Sequence, residues 1–258
     1  MIDISRLYCG QDTTGDPLRY GHKRGPGHGT PHATEKTEHE VPVSASERRP
    51  VVAWNITRRC NLSCVHCYTD SHNTEYPGEL TTDEAKEVIK DLASFKSPAL
   101  LISGGEPLIR KDIFTLAEYA KGLNMRLTLS TNGTLIDKDA AKRIKDVGFS
   151  YVGISFDGIG ETNDRFRGMK GAFDLALNAV RNCMDVGQKV GLRLTLTKRN
   201  YEDLNGIFDF LEKEGIQRAC FYHLVYAGRG SKITRDDLSH DETRHAIDII
   251  LDRTKDLH

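Results

Sequence analysis

The sequence predicts an α/β fold built from six β/α units. Strand-like and helix-like segments alternate with regular spacing from residue 50 onward. The strand-like segments are short apolar runs, which are typical of parallel strands buried on both faces. Six units are too few for a closed eight-stranded barrel. At 258 residues the chain is long enough for one large α/β domain with a full core.

Each predicted element rests on a local pattern. The strands are expected near residues 51–56, 99–103, 126–130, 150–155, 190–197 and 219–225. The helices are expected near residues 82–95, 112–121, 137–147, 171–186, 201–214 and 240–256. Capping boxes at 81–84 and 239–242 mark two helix starts. Gly148, Gly187 and Gly215 lie where helices are expected to stop.

Composition excludes several classes of partner. The chain has 36 basic and 37 acidic residues, so no nucleic-acid partner is suggested. No apolar run reaches bilayer length, and the N-terminus lacks the apolar stretch of a signal peptide. We therefore expect a cytoplasmic protein with a small-molecule partner and no membrane partner.

The chain is predicted to divide at residue 50. Residues 21–49 are rich in Gly, Pro, His and charge and show no hydrophobic periodicity, which is typical of a flexible linker. We expect residues 1–49 to form a mobile N-terminal segment and linker, and residues 50–258 to form the core domain.

Cys60, Cys64 and Cys67 follow the first predicted strand. Three thiolates at this spacing can hold one face of a [4Fe–4S] cluster while the fourth iron stays open to a small molecule. A zinc site with His66 as fourth ligand is the alternative. Zinc ligands more often come as two separated pairs, and no second pair follows here, so the cluster is favoured.

Three further cysteines remain. Buried packing is expected for Cys183, on an apolar helical stretch, and for Cys220, at the start of a strand. Cys9 precedes a glycine near the N-terminus. Two roles stay open for Cys9: contact with a cluster or substrate, and ordinary packing.

Polar residues follow the second, third and fourth predicted strands. These segments are 103–107 (Ser-Gly-Gly-Glu-Pro), 130–133 (Ser-Thr-Asn-Gly) and 155–158 (Ser-Phe-Asp-Gly). Because the carboxyl ends of parallel strands share one rim, we expect all three beside the cysteines. Each segment also fits an ordinary polar turn.

Together, the cysteine spacing and the Gly-Gly-Glu-Pro motif resemble the radical S-adenosylmethionine (SAM) family. The resemblance implies an enzyme with an open (β/α)6 partial TIM barrel, a [4Fe–4S] cluster, and SAM on the open iron. It also implies an electron donor such as ferredoxin or flavodoxin, and an anaerobic host. One electron cleaves SAM to methionine and a 5′-deoxyadenosyl radical, which takes a hydrogen atom from the substrate.

Carried onto this chain, the resemblance assigns the cluster to the three cysteines and the SAM amino group to Gly104, Gly105 and Glu106. Further rim residues fit the ribose and carboxylate of SAM: Ser130, Asn132, Ser155, Asp157 and Arg193. Arg193 would pair with the SAM carboxylate, although its alternation with leucines also fits an ordinary half-buried strand. His223 fits either a proton donor or a core histidine.

Short phrases at 4–21, 50–60 and 227–230 resemble the tetrapyrrole-modifying branch of this family. Within that branch the resemblance is to the 12,18-didecarboxysiroheme deacetylases of haem biosynthesis. These remove two acetate side chains from an iron tetrapyrrole and leave methyl groups, giving Fe-coproporphyrin III. Arg165 and Arg167, on a loop before the fourth predicted helix, and Arg229 are candidate clamps for its propionates.

Other functions stay open from the sequence. Within the family these are an Fe-coproporphyrin III decarboxylase, a haem d1 enzyme and a peptide-modifying maturase. A truncated module that binds a cluster without catalysis is the non-enzyme alternative. Relatives that modify large substrates continue into a C-terminal region with cysteines for auxiliary clusters. The sequence therefore leaves open a fragment whose missing region holds a second [4Fe–4S] cluster.

Overall fold

A computed structural model describes residues 2–3 and 49–255. Within these residues one sheet has the strand order β1-β7-β6-β5-β4-β3-β2. The strands are β1 (Ile2–Asp3), β2 (Val52–Asn55), β3 (Leu100–Ser103), β4 (Leu127–Thr131), β5 (Tyr151–Ser155), β6 (Val190–Leu196) and β7 (Ala219–His223). Strands β2 to β7 pair in parallel, and β1 pairs with β7 antiparallel. The six parallel strands curl into a half-barrel, which confirms the predicted open (β/α)6 barrel.

The helices of the described residues follow the strands as expected, with one addition. They are α1 (Thr82–Ser94), α2 (Ile113–Gly122), α3 (Lys138–Val147), α4 (Glu161–Arg167), α5 (Ala172–Asp185), α6 (Leu204–Glu214) and α7 (His240–Thr254). Both capping boxes form at the starts of α1 and α7. Helix α4 corrects the prediction of a loop before the fourth helix. Strand β1 was not predicted either.

The core lies between the sheet and the helices. Leu127 and Leu129 of β4 are fully buried in it, whereas the alternate residues Thr128 and Ser130 are half-buried. The prediction that the strands are apolar and buried on both faces is therefore wrong for this strand. Its second face is polar because it borders a cavity, which Ser130 lines.

Several expectations fall outside the described residues. These are the phrase at 4–21, Cys9 and all of the predicted linker except Arg49, so the division of the chain near residue 50 stays a prediction. Cys183 and Cys220 are both buried, as expected for packing residues. No helix in the described part of the chain is long and apolar enough to cross a bilayer.

Candidate active site

A cavity of about 420 Å³ opens at the carboxyl ends of the parallel strands. That volume falls in the usual range for small-molecule sites. Most predicted site residues line it: Cys60, Cys64, Cys67, Gly104, Gly105, Ser130, Asn132, Ser155, Arg167, Arg193 and Arg229. Glu106, Asp157 and Arg165 are the predicted site residues that do not line it.

The three predicted cluster ligands line this cavity as free thiols, each within reach of hydrogen-bond donors. Cys60 Sγ accepts from the Leu62 backbone N–H at 3.4 Å, and Cys67 Sγ accepts from the Ser71 backbone N–H at 3.5 Å. Cys64 Sγ accepts from a guanidinium, described below. N–H donors aimed at sulfur stabilise the thiolate form, and hydrogen bonds of this kind tune iron–sulfur clusters. The donor set therefore fits a [4Fe–4S] cluster.

The three thiols differ in the direction of their net pKa shifts. Burial raises the pKa of Cys60 to about 11 and also raises the pKa of Cys64. Burial pushes the pKa of Cys67 upward too, but hydrogen bonds with Thr69 and Ser71 outweigh it, so that pKa is lowered. Because metal ligands must be deprotonated, metal binding at Cys60 and Cys64 must release protons.

The Gly-Gly pair lets the end of β3 pack against the backbone that leads into the cysteines. The Gly105 N–H donates to Thr57 O at 2.8 Å. A Cβ atom on Gly105 would lie 2.3 Å from Arg59 O, and one on Gly104, which has φ +151°, would lie 2.4 Å from Thr57 O. Both positions therefore require glycine for backbone contact, in addition to any contact with a ligand.

Glu106 points into the protein and is fully buried. Its carboxylate accepts from Thr131 Oγ1 at 2.8 Å and from the backbone N–H groups of Asn132 at 2.7 Å and Leu108 at 3.1 Å. Burial raises the pKa of this carboxyl, and these hydrogen bonds oppose that shift. The side chain ties the ends of β3 and β4 together, so its contact with SAM stays a prediction.

Asn132 connects the rim to the cysteine loop. Its Nδ2 donates to Asn61 Oδ1 at 2.9 Å and lies 3.9 Å from Cys60 Sγ. Its Oδ1 accepts from the Thr134 N–H at 2.9 Å. Both ends of the amide are thus engaged by the protein, so its role in SAM binding stays a prediction.

Asp157 and Arg167 form a buried ion pair beneath Cys64, and the half-buried His66 lies beside it. Asp157 Oδ2 lies 2.5 Å from Arg167 Nη2 and 3.3 Å from His66 Nε2. Arg167 Nη1 donates to Cys64 Sγ at 3.7 Å. His66, the fourth ligand in the zinc alternative, faces Asp157 instead. Within the described ranges, no three Cys, His, Asp or Glu side chains converge on one metal-ion position.

The structure does not bring the three candidate propionate clamps together. Arg229 donates to Cys64 O at 2.7 Å and to Asp70 Oδ1 at 3.0 Å, so it braces the cysteine loop. Arg167 is buried against Cys64. The Arg165 side chain is 73% exposed on α4 and lies outside the cavity lining.

Arg193 is a cationic residue of the cavity lining. Its guanidinium lies 5.0 Å from the ring centroid of Tyr222. No acidic side chain in the described part of the chain forms an ion pair with it. Ser130 and Ser155 line the same cavity and are half-buried. A cation and two hydroxyl groups therefore face the space beside the cysteines.

Gly228 has a role that the sequence did not reveal. Its φ is +54°, and a Cβ atom there would lie 2.4 Å from Cys67 O. The next residue, Arg229, donates its backbone N–H to the same oxygen at 2.8 Å. Two glycines flanking an arginine after the last strand were the only signal of this contact.

Comparison with known proteins identifies the family. Residues 54–211 match the sequence profile of the Radical SAM superfamily. The chain belongs to the radical SAM superfamily. The resemblance predicted from the cysteines and the Gly-Gly-Glu-Pro motif is thereby confirmed, and with it an enzyme family whose members use a [4Fe–4S] cluster and SAM.

Three relatives carry names from tetrapyrrole chemistry, the branch that the sequence resembles. The chain is 55% identical over 258 residues to an Fe-coproporphyrin III synthase of Methanosarcina barkeri. It is 48% identical over 224 residues to a pre-heme d1 synthase of Dinoroseobacter shibae, and 38% identical over 183 residues to an AdoMet-dependent heme synthase of Methanosarcina barkeri. The matches cover 100%, 86% and 70% of this chain but only 62%, 55% and 52% of those relatives.

Solved structures share the fold at low sequence identity. Native anSMEcpe with bound AdoMet has a TM-score of 0.67 and 20% identity over 79% of this chain and 59% of that chain. Streptococcus suis SuiB bound to its precursor peptide SuiA has a TM-score of 0.68 and 20% identity over 79% of this chain and 45% of that chain. The half-barrel is therefore the radical SAM core fold.

Proposed function

We propose that this chain is the radical SAM core of an enzyme of haem biosynthesis that removes the two acetate side chains of 12,18-didecarboxysiroheme to give Fe-coproporphyrin III. The similarity to the Methanosarcina barkeri Fe-coproporphyrin III synthase, at 55% identity along the whole chain, carries this proposal. That relative is named for the product that the sequence resemblance implies.

The cavity supports the cofactor part of the proposal. Cys60, Cys64 and Cys67 would hold a [4Fe–4S] cluster, and Arg193 would pair with the carboxylate of SAM. When bound, the cluster and SAM supply a 5′-deoxyadenosyl radical that takes hydrogen from the substrate. Residues of this chain orient the cofactors and exclude water from them. The electron donor would be a ferredoxin or flavodoxin.

The test is an anaerobic reaction of the reconstituted chain with SAM, dithionite and 12,18-didecarboxysiroheme, analysed by mass spectrometry. Fe-coproporphyrin III and 5′-deoxyadenosine should appear together, and neither should appear when SAM is omitted. 5′-Deoxyadenosine with unchanged tetrapyrrole would overturn the substrate assignment. Absence of both products would overturn the assignment of this activity to the chain and favour a cluster-binding module.

A haem d1 enzyme is the second candidate, favoured by the 48% identity to the Dinoroseobacter shibae pre-heme d1 synthase. The same reaction separates the candidates by product. A deacetylase yields only Fe-coproporphyrin III, whereas a different tetrapyrrole product from the same substrate would favour the second candidate. Supplying Fe-coproporphyrin III as substrate tests a decarboxylase, which would release carbon dioxide from it.

Replacing Arg193 with Gln is expected to weaken SAM binding. The guanidinium would donate charge-assisted hydrogen bonds to the SAM carboxylate, and losing them should raise the dissociation constant about ten- to hundredfold. Calorimetric titration of the anaerobically reconstituted protein with SAM measures this change. Arg235→Gln is the matched control, because Arg235 is exposed and does not line the cavity. Equal SAM affinity in the two variants would contradict the assignment.

A further inference from the structure

The buried ion pair of Asp157 and Arg167 beneath Cys64 makes contacts that cofactor binding does not explain. Arg167 contacts Cys64 Sγ through Nη1 and the Asp157 carboxylate through Nη2, so one guanidinium bridges the sulfur and the acid. All three residues are buried, and Asp157 is fully buried. Arg167 is the last residue of α4 and lies 103 positions from Cys64 in the sequence.

Asp157 fixes the position of this guanidinium. Its Oδ1 accepts from the Thr195 backbone N–H at 2.9 Å, which ties the carboxylate to β6. Its own backbone N–H donates to Asn163 Oδ1 at 2.9 Å, which ties it to α4. One hydrogen bond therefore holds the Asp157 carboxylate and another holds its backbone, which gives the guanidinium a fixed partner. A planar guanidinium suits such a bridge because its N–H groups point in fixed directions.

We propose that Arg167 is a positioning residue that donates to the Cys64 thiolate and, balanced by Asp157, sets the reduction potential of the cluster. Reduction adds negative charge, and hydrogen bonds to sulfur and local net charge are among the factors that fix the potential of such clusters. A donor to Cys64 stabilises the reduced form. This inference rests on the cluster assignment within the proposed function and does not depend on the tetrapyrrole.

Opposite substitutions in the pair should shift the potential in opposite directions. In Arg167→Gln a positive charge beside Cys64 is lost, so the site becomes more negative and reduction becomes harder. In Asp157→Asn the arginine loses its balancing charge, so the site becomes more positive and reduction becomes easier. A variant that merely loosens the fold would not give shifts of opposite sign.

The experiment is a redox titration of the reconstituted protein, without SAM or tetrapyrrole, followed by electron paramagnetic resonance of the reduced cluster. At a fixed potential the ratio of reduced to oxidised clusters should fall about tenfold in Arg167→Gln, which corresponds to about 59 mV for a one-electron couple. The ratio should rise in Asp157→Asn. Arg167→Lys keeps the positive charge but loses the planar guanidinium. Its ratio of reduced to oxidised clusters should therefore lie between those of the wild type and Arg167→Gln.

The matched control is Arg165→Gln on the same helix. Arg165 carries the same charge two residues away but is exposed. The reduction potential of the cluster in Arg165→Gln should therefore equal that of the wild type. Thermal unfolding of each apo-protein checks that the variants fold. Shifts of the same sign in Arg167→Gln and Asp157→Asn, or equal potentials in Arg167→Gln and Arg165→Gln, would overturn the proposal. Because no tetrapyrrole is present, those results are independent of the deacetylation assay.

Discussion

Replacing Cys64 with Ala is expected to abolish cluster assembly and the cleavage of SAM. Three thiolates are the whole proposed protein ligand set of the cluster, and the fourth iron is left for SAM. Removing one leaves two thiolates in a partly buried loop, where Cys60 already resists deprotonation because burial raises its pKa. Iron and sulfide content per chain after anaerobic reconstitution, and 5′-deoxyadenosine formation with SAM and dithionite, measure the loss. Iron and sulfide should be almost absent from the chain. Formation of 5′-deoxyadenosine should fall to the level of a reaction without protein.

Cys183→Ala is the matched control for this prediction. Cys183 is fully buried in α5 and does not line the cavity. That variant should retain the iron content and 5′-deoxyadenosine formation of the wild type. Four irons per chain in Cys64→Ala, or one zinc ion per chain and no iron in the reconstituted wild type, would contradict the assignment of these thiols.

The strands and most helices were predictable because their patterns are local. Apolar runs, capping boxes and stop glycines each act within one element. Helix α4 lacks such a pattern, since Phe166 is its only large apolar residue. Contacts distant in sequence hold it: Phe166 O accepts from the Val65 N–H at 2.9 Å. Strand β1 has two residues and depends on β7 for pairing.

The sequence also predicted which residue types would meet at the rim, but not how the protein uses them. Asn132 and Asp157 carry groups that suit a ligand and a neighbouring loop equally well. Whether such a group binds a ligand or a neighbouring loop depends on partners such as Asn61, which lies 71 residues from Asn132 in the sequence. The prediction of Arg167 as a substrate clamp rests on its charge and its expected position at the rim. The burial of Arg167 and its contact with Cys64 depend on how α4 packs against the cysteine loop, which no local pattern reveals.

Replacing Gly105 with Ala is expected to destabilise the apo-protein and to disrupt the cysteine loop. The new methyl group would lie 2.3 Å from Arg59 O and 2.6 Å from Arg58 O, which are both backbone atoms. Backbone cannot move aside as a flexible side chain can, so the strands and the loop must shift. We expect the free energy of unfolding to fall by about 2–3 kcal/mol. Urea denaturation of the apo-protein, followed by circular dichroism, measures this change.

Gly122→Ala separates this steric effect from the general effect of adding a methyl group. Gly122 is the last residue of α2, and a Cβ atom there meets nothing within 4 Å. Alanine is favoured over glycine in a helix by up to about 1 kcal/mol, so this variant should be as stable as the wild type or slightly more stable. Because the clash in Gly105→Ala is with the backbone before Cys60, its iron content after reconstitution should fall as well. Full stability and full iron content in Gly105→Ala would show that the end of β3 does not position the cysteines.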